Sequence, residues 1–358
     1  MFGHKNAVAK PEKSQSAEKL SGYAKVHNFF GFSKGYNFIL WFIFAGALFG
    51  FSLARLQYLD VNGVFCGSTP GANHAAPGEC YYYQTFDRYK IGIRLHLYTI
   101  IPASLLVVLQ FTPIIRYKAI LFHRMTGYVV VLLASIANVG ALMIAHHAFG
   151  GGVEVQAWVG LLAIMTMVGL FLAYYNIKRL QIDQHRAWML RTWFYFASII
   201  TLRIIMIIAA QILTAAGDYW TVQDCTKLLD IFHNSEVLTK LYPSCSALVS
   251  GADMSAVTLV HVNFNGTGAE LMSAMNASFG MAGWIALTLH AVGVEVYVCL
   301  HLTPQETRRL RQLSYKRQLE AGHKNPGNSG LVPQEDFSTA KHASSSSDGF
   351  RKEADSPL

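Results

Sequence analysis

The sequence predicts an all-α polytopic membrane protein, a bundle of six transmembrane helices. Three observations carry this. Six apolar stretches reach the roughly 20 residues that a bilayer-crossing helix needs. The 358-residue chain is 52% hydrophobic and only 14% charged, against about 25% charged in an ordinary soluble domain. The charges that remain are sorted between alternate connecting segments.

Residues 1–36 form a polar leader dotted with lysine, without the apolar core of a cleavable signal peptide, so the first span is expected to act as an uncleaved anchor. Spans are expected over 37–56, 92–114, 126–147, 156–176, 188–215 and 278–302, which makes 37–302 the membrane domain. Long loops at 58–90 and 217–276 separate spans 1 from 2 and 5 from 6. Spans 2–5 are expected to form a four-helix core, with spans 1 and 6 packed outside it. Residues 303–358 begin with a basic stretch, Arg308 to Arg317, that suits an amphipathic surface helix. They end in a serine-rich tail, with four serines at 344–347, too polar to bury a core.

Three signals set the orientation. The leader, the two short even-numbered connections and the tail hold 22 Lys and Arg, whereas the alternate segments hold 4. The positive-inside rule then puts both termini in the cytosol of an endomembrane or plasma-membrane protein. Cys66 and Cys80 lie in the first outer loop and Cys225 and Cys245 in the last, the placement of disulfides in an oxidising compartment, with Cys66–Cys80 and Cys225–Cys245 the short-loop pairing. Asn265-Gly-Thr267 is a glycosylation sequon on the same outer side, and Asn276-Ala-Ser278 a second one closer to the bilayer. The net charge of +8 is explained by this bias and by attraction to membrane lipid, with no call for nucleic acid. No Gly-rich phosphate loop, Cys-x-x-Cys or His-Glu-x-x-His motif occurs, so any chemistry belongs to the spans and their adjoining loops.

Ionisable groups inside spans are the candidates, because one at mid-bilayer costs roughly 2.5–3.5 kcal/mol and persists only with a partner or a task. Near the outer side are Arg94, His96, His146 and His147; near the middle, Asn138, Arg203 and His290. Toward the cytosol, His123-Arg124 opens span 3 and His185-Arg186, with Arg191 beyond, opens span 5. Two imidazoles at one level on alternate helices suit the axial ligands of a b-type haem, with Arg124, Arg186 and Arg191 meeting its propionates. His96, paired with His146 or His147, is a candidate ligand for a second, outer haem. The competing reading is interfacial: arginines on lipid phosphates and histidines at headgroup level. Glu295 in span 6 is the candidate acid, or else a structural lock on Arg124 or Arg203. His290 suits a hydrogen-bonded core histidine.

The order His96, Gln110-Phe111, His123-Arg124-Met-Thr-Gly127, Gly150–152, His185-Arg186-Ala-Trp188-Met189-Leu-Arg191, Arg203, Trp284 and Glu295 resembles an uncharacterised multi-pass membrane family, domain of unknown function 2306. The resemblance spans residues 91–302 and implies the fold and this residue set, but no reaction; His290 departs from it, where asparagine is expected. The long cysteine-bearing loops and serine-rich tail look like those of filamentous-fungal members. A looser similarity links His123 to Gly127 with ascorbate-dependent transmembrane b-type cytochromes, whose third span also opens on a histidine followed by glycine. A second haem in that pattern needs a histidine on span 4, and 156–176 has none.

The function expected is a b-type haem oxidoreductase that takes electrons from a cytosolic donor to a lipophilic or membrane acceptor, accessory to fungal metabolite biosynthesis. The rivals are a transporter, a cofactor-free membrane enzyme acting through Glu295 on a lipophilic substrate, and a structural membrane protein.

Overall fold

Six helices long and apolar enough to cross a membrane run over Gly35–Ala54, Asp87–Gln110, Ile120–Ile144, Val153–Lys178, Ile182–Ala216 and Gly268–His301. They are spans 1 to 6 of the computed structural model, which describes residues 22–32, 34–67, 75–301, 304–324 and 326. The serine-rich tail and the first 21 residues lie outside the described residues. Side chains such as Phe42, Leu132, Ile164, Phe171, Ile208 and Ile212 point out of the bundle and supply the apolar belt that lipid requires. The chain is an integral membrane protein.

Helical packing follows small residues. Spans 2 and 3 are in close antiparallel contact where Gly92 meets Gly140; a Cβ on Gly140 would stand 2.6 Å from the His96 backbone nitrogen and 2.7 Å from the Gly92 carbonyl oxygen. Between helices in lipid, such close backbone approach replaces the hydrophobic drive available in water. Spans 2–5 pack in series through a shared core of Ala103, Val107, Val130, Ala134, Leu170 and Trp193, with Leu48 of span 1 at its edge. Buried polar pairs stitch the series: Asn138 Nδ2 donates to Thr166 Oγ1 at 3.0 Å between spans 3 and 4, and Gln110 donates to Thr126 between spans 2 and 3.

Span 6 departs from the expected peripheral position. It lies along span 5 and against span 4, with Ala282, Ala286, Leu287 and Val294 in one core with Val155, Trp158, Leu202 and Met206. The cause is its alanine-rich face, which lets a sixth helix approach as closely as the others. Span 1 alone stays largely outside, as expected.

The two long loops fold over one end of the bundle. Cys66–Cys80 and Cys225–Cys245 are bonded, each with Cα atoms 5.5 Å apart. The second loop contains a two-stranded antiparallel sheet, β1 (Trp220–Asp224) and β2 (Val257–His261), in the register Val222 to Leu259. The sheet and its short helices enclose a core of Leu228, Leu238, Leu248, Val260 and Met272. Asn276 is not in a loop: it is buried within span 6 and its amide approaches Gln223 Oε1 at 3.4 Å, so that sequon is enclosed. Asn265 is exposed in a turn.

At the opposite, basic end the stretch after span 6 forms the helix Pro304–Glu320. It docks on the span 4–5 turn: Ser314 Oγ accepts from Ile182 N at 3.0 Å, and Gln318 Nε2 donates to Arg179 O at 2.9 Å.

Candidate functional site

The basic end carries the expected histidines. His123 stands in the first turn of span 3, because that span begins at Ile120, about two turns of helix earlier than the apolar stretch suggested. Its Nδ1 is buried and has no hydrogen-bond partner among the described residues. His185, in the first turn of span 5, has its Nδ1 2.9 Å from the Ala173 carbonyl oxygen of span 4, which fixes the ring and leaves Nε2 available. The two imidazoles are near enough to act on each other electrostatically, and Arg116 acts on both. Arg116 was not legible as a site residue, since it lies in a short connecting helix, Pro113–Lys118. Arg124 and Arg186 are exposed at the same end.

Arg191 and Glu295 stand apart from this pair. Arg191 Nε and Nη2 donate to Glu295 Oε1 and Oε2 at 2.5 and 2.8 Å, a bidentate bond between spans 5 and 6. The guanidinium expected to meet a propionate is therefore engaged by a carboxylate. Glu295 is locked to span 5, though its partner is Arg191 and not Arg124 or Arg203. His290 has Nδ1 2.7 Å from the Phe194 carbonyl oxygen and Nε2 2.8 Å from Thr201 Oγ1, a core histidine with both nitrogens used. His96 Nδ1 is 3.0 Å from the Ala137 carbonyl oxygen. His147 instead stacks on Tyr82, ring centres 3.8 Å apart, so no ring contact among the described residues joins it to His96.

The disulfide-bearing end holds a second constellation. Glu79 and Lys227 come from different loops and are both buried, with Lys227 Nζ 3.6 Å from Glu79 Oε1. Gly78 makes this possible: it has φ +76°, and a Cβ there would lie 2.6 Å from Lys227 Cε. Glu79 also accepts from Tyr83 Oη at 3.2 Å and from the backbone N–H of Phe149 at 3.1 Å. Burial pushes the Glu79 carboxyl up from its ordinary range, against the pull of Lys227 and these donors. Tyr82 donates to Asp224 Oδ2 at 2.6 Å; burial first, then Asp224, raises its phenol far above the ordinary value.

Phe149 itself has a left-handed backbone, φ 50°, which costs a non-glycine residue about 1–3 kcal/mol. Held there by Glu79, its ring stacks on Phe279 of span 6 at 4.0 Å and 4°. Arg203 lies 4.7 and 5.4 Å from these two rings. Arg203 thus belongs to the disulfide-bearing end rather than the middle of the bundle, because its long side chain reaches up to the loop.

Residues 93–232 match the family described as "Predicted membrane protein (DUF2306)". The DUF2306 match takes in most of span 2, spans 3 to 5, both His-Arg elements, Arg203 and Lys227, and so bears out the resemblance over that stretch; Trp284 and Glu295 lie beyond it. The chain is also 24% identical over 306 residues to a protein of Aspergillus versicolor named "Ava biosynthesis cluster protein G", a similarity covering 75% of this chain and 89% of that relative. No solved structure matches. The chain is thus a membrane protein with a DUF2306-like stretch and a similarity to a fungal biosynthesis cluster protein.

Proposed function

We propose that this protein is a membrane-embedded redox accessory in the making of a lipophilic metabolite, and that it holds one b-type haem between His123 and His185. The observation that carries the reading is the state of the two rings. His185 has its Nδ1 tied to a backbone carbonyl and Nε2 left over, and His123 has a buried ring nitrogen with no partner among the described residues. Donor chemistry of this kind fits an axial pair, since a carbonyl behind an imidazole raises its basicity and fixes its plane. Arg116, Arg124 and Arg186 supply cations for carboxylates at that end; Arg191 does not, being held by Glu295. Bound there, a haem provides a one-electron couple between a donor at the basic face and an acceptor dissolved in lipid. The similarity to a protein named for a biosynthesis cluster supports the metabolic setting.

The test is a visible spectrum of the detergent-purified full chain. A reducible Soret band is expected, lost in His123→Ala and in His185→Ala and kept in His96→Ala. A pure, colourless protein removes the proposal.

A further inference from the structure

Arg203 is a cation set inside a membrane span with no salt-bridge partner among the described residues. Among the described residues, no carboxylate oxygen lies within 4.0 Å of Arg203 or of Arg55. Among the described residues the one hydrogen-bond partner of the Arg203 guanidinium is the Met206 sulfur, at 3.9 Å. A guanidinium carries five N–H donors in a planar fork, so nearly all of its capacity is unspent. Two features explain why nothing nearby spends it. Glu79, the nearest carboxylate acting on it, is already committed to Lys227, Tyr83 and the Phe149 N–H. Phe149 and Phe279 present their rings to the guanidinium and offer no acceptor.

The local charges do not balance either. Arg55 and Arg203 share the influence of one carboxylate, Glu79, which Lys227 already engages. Arg55, its charge 4.1 Å from the Phe51 ring, is near enough to act on Arg203. Two like charges held close together in a low-dielectric setting call for an anion between or beside them. Arg203 lies against span 6 and the Phe149 loop and is half-buried there.

We propose that Arg203, assisted by Arg55, is the receptor for an oxyanion carried on an apolar body, a lipophilic acid whose charged group enters beside the Phe149–Phe279 stack while its hydrocarbon stays in the bundle or the adjoining leaflet. The aromatic walls select the apolar body, and the paired guanidiniums select the charge. This site is at the opposite end from His123 and His185, and it stands whether or not a haem is bound.

The experiment uses the full chain in phosphatidylcholine nanodiscs, with oleate as the probe and oleyl alcohol as its uncharged counterpart, read by calorimetric titration. Saturable binding of oleate, at least about tenfold tighter than oleyl alcohol, is expected, since each tenfold is one well-made charged contact. Arg203→Met is expected to abolish the preference, Arg203→Lys to weaken it, and Arg55→Gln to weaken it less. Should Arg203→Met fail to fold, Arg203→Lys and Arg55→Gln carry the test, because both keep a polar hydrogen-bonding side chain at the position. Competition by phosphatidylglycerol would identify a lipid phosphate as the natural oxyanion; its failure to compete would identify a free lipophilic acid. Equal binding of alcohol and oleate, or oleate binding unchanged in both Arg203→Lys and Arg55→Gln, overturns the proposal.

Discussion

His147 lies flat against Tyr82 and edge-on to Tyr89, just beyond the end of span 3. Burial, and then the adjacent His146, push its pKa down from 6.5 to about 4. A depressed folded-state pKa means that the folded protein prefers the neutral ring. The stability His147 contributes is therefore present above pH 6.5 and is lost as the pH falls toward 4. Glu79 acts with the opposite sign: its raised pKa makes its contribution greatest below the ordinary 4.5 and lost as the pH climbs through the folded value. The difference between wild type and His147→Phe separates the two, because phenylalanine keeps the stack and does not titrate. Thermal midpoints are expected to show the variant gaining on wild type between pH 6.5 and 4, and an unchanged difference across that window would show that the ring does not titrate as described. In the sequence His147 reads as an interfacial histidine or as an outer haem partner of His96. Its partners Tyr82 and Asp224 sit on two loops whose folding over one another leaves no mark in residue spacing.

Spans 5 and 6 show what an apolar stretch does and does not reveal. The charge lock at Glu295 was legible from the cost of an unpaired carboxylate in lipid. Its partner was not, because the partner depends on depth. Span 5 begins at Ile182, about 9 Å of helix before the apolar run at 188, and this sets Arg191 level with Glu295. Arg203 is twelve residues, about 18 Å, further along and out of reach. Side chains of Arg191 and Glu295 are 19% and 49% exposed, so screening discounts the bond heavily. A double-mutant cycle of Arg191→Gln and Glu295→Gln is expected to return a coupling of about 1 kcal/mol in denaturant unfolding. Additive single effects would mean that the bond adds nothing to span 6 docking. Span 6 also illustrates why its place in the core was missed: its apolar stretch reads alike whether it faces lipid or protein, and only Ala282 and Ala286, fully enclosed, betray the difference.

At the scale of the whole molecule, an even number of spans returns both flanking segments to one face. Tags placed at the two termini are expected to be reached by protease from the same side of a sealed vesicle. A glycan at Asn265, on the disulfide-bearing side, is expected to be out of reach from there; tags accessible from opposite sides would refute six crossings. The six helices were readable because each crossing requires its own long apolar run. The strand pair was not, since Trp220–Asp224 and Val257–His261 are short, distant in sequence, and joined through a region closed by a disulfide. Span 6 links these levels mechanically. One unbroken helix, about 50 Å long, has Ala269 and Met272 rooted in the disulfide-closed subdomain, Ala282 and Ala286 gripped mid-bundle, and Glu295 fastened to span 5. Such a strut transmits tilt without absorbing it, so a ligand that shifts the subdomain by a few degrees would swing the far tip, beyond Glu295, by several ångströms.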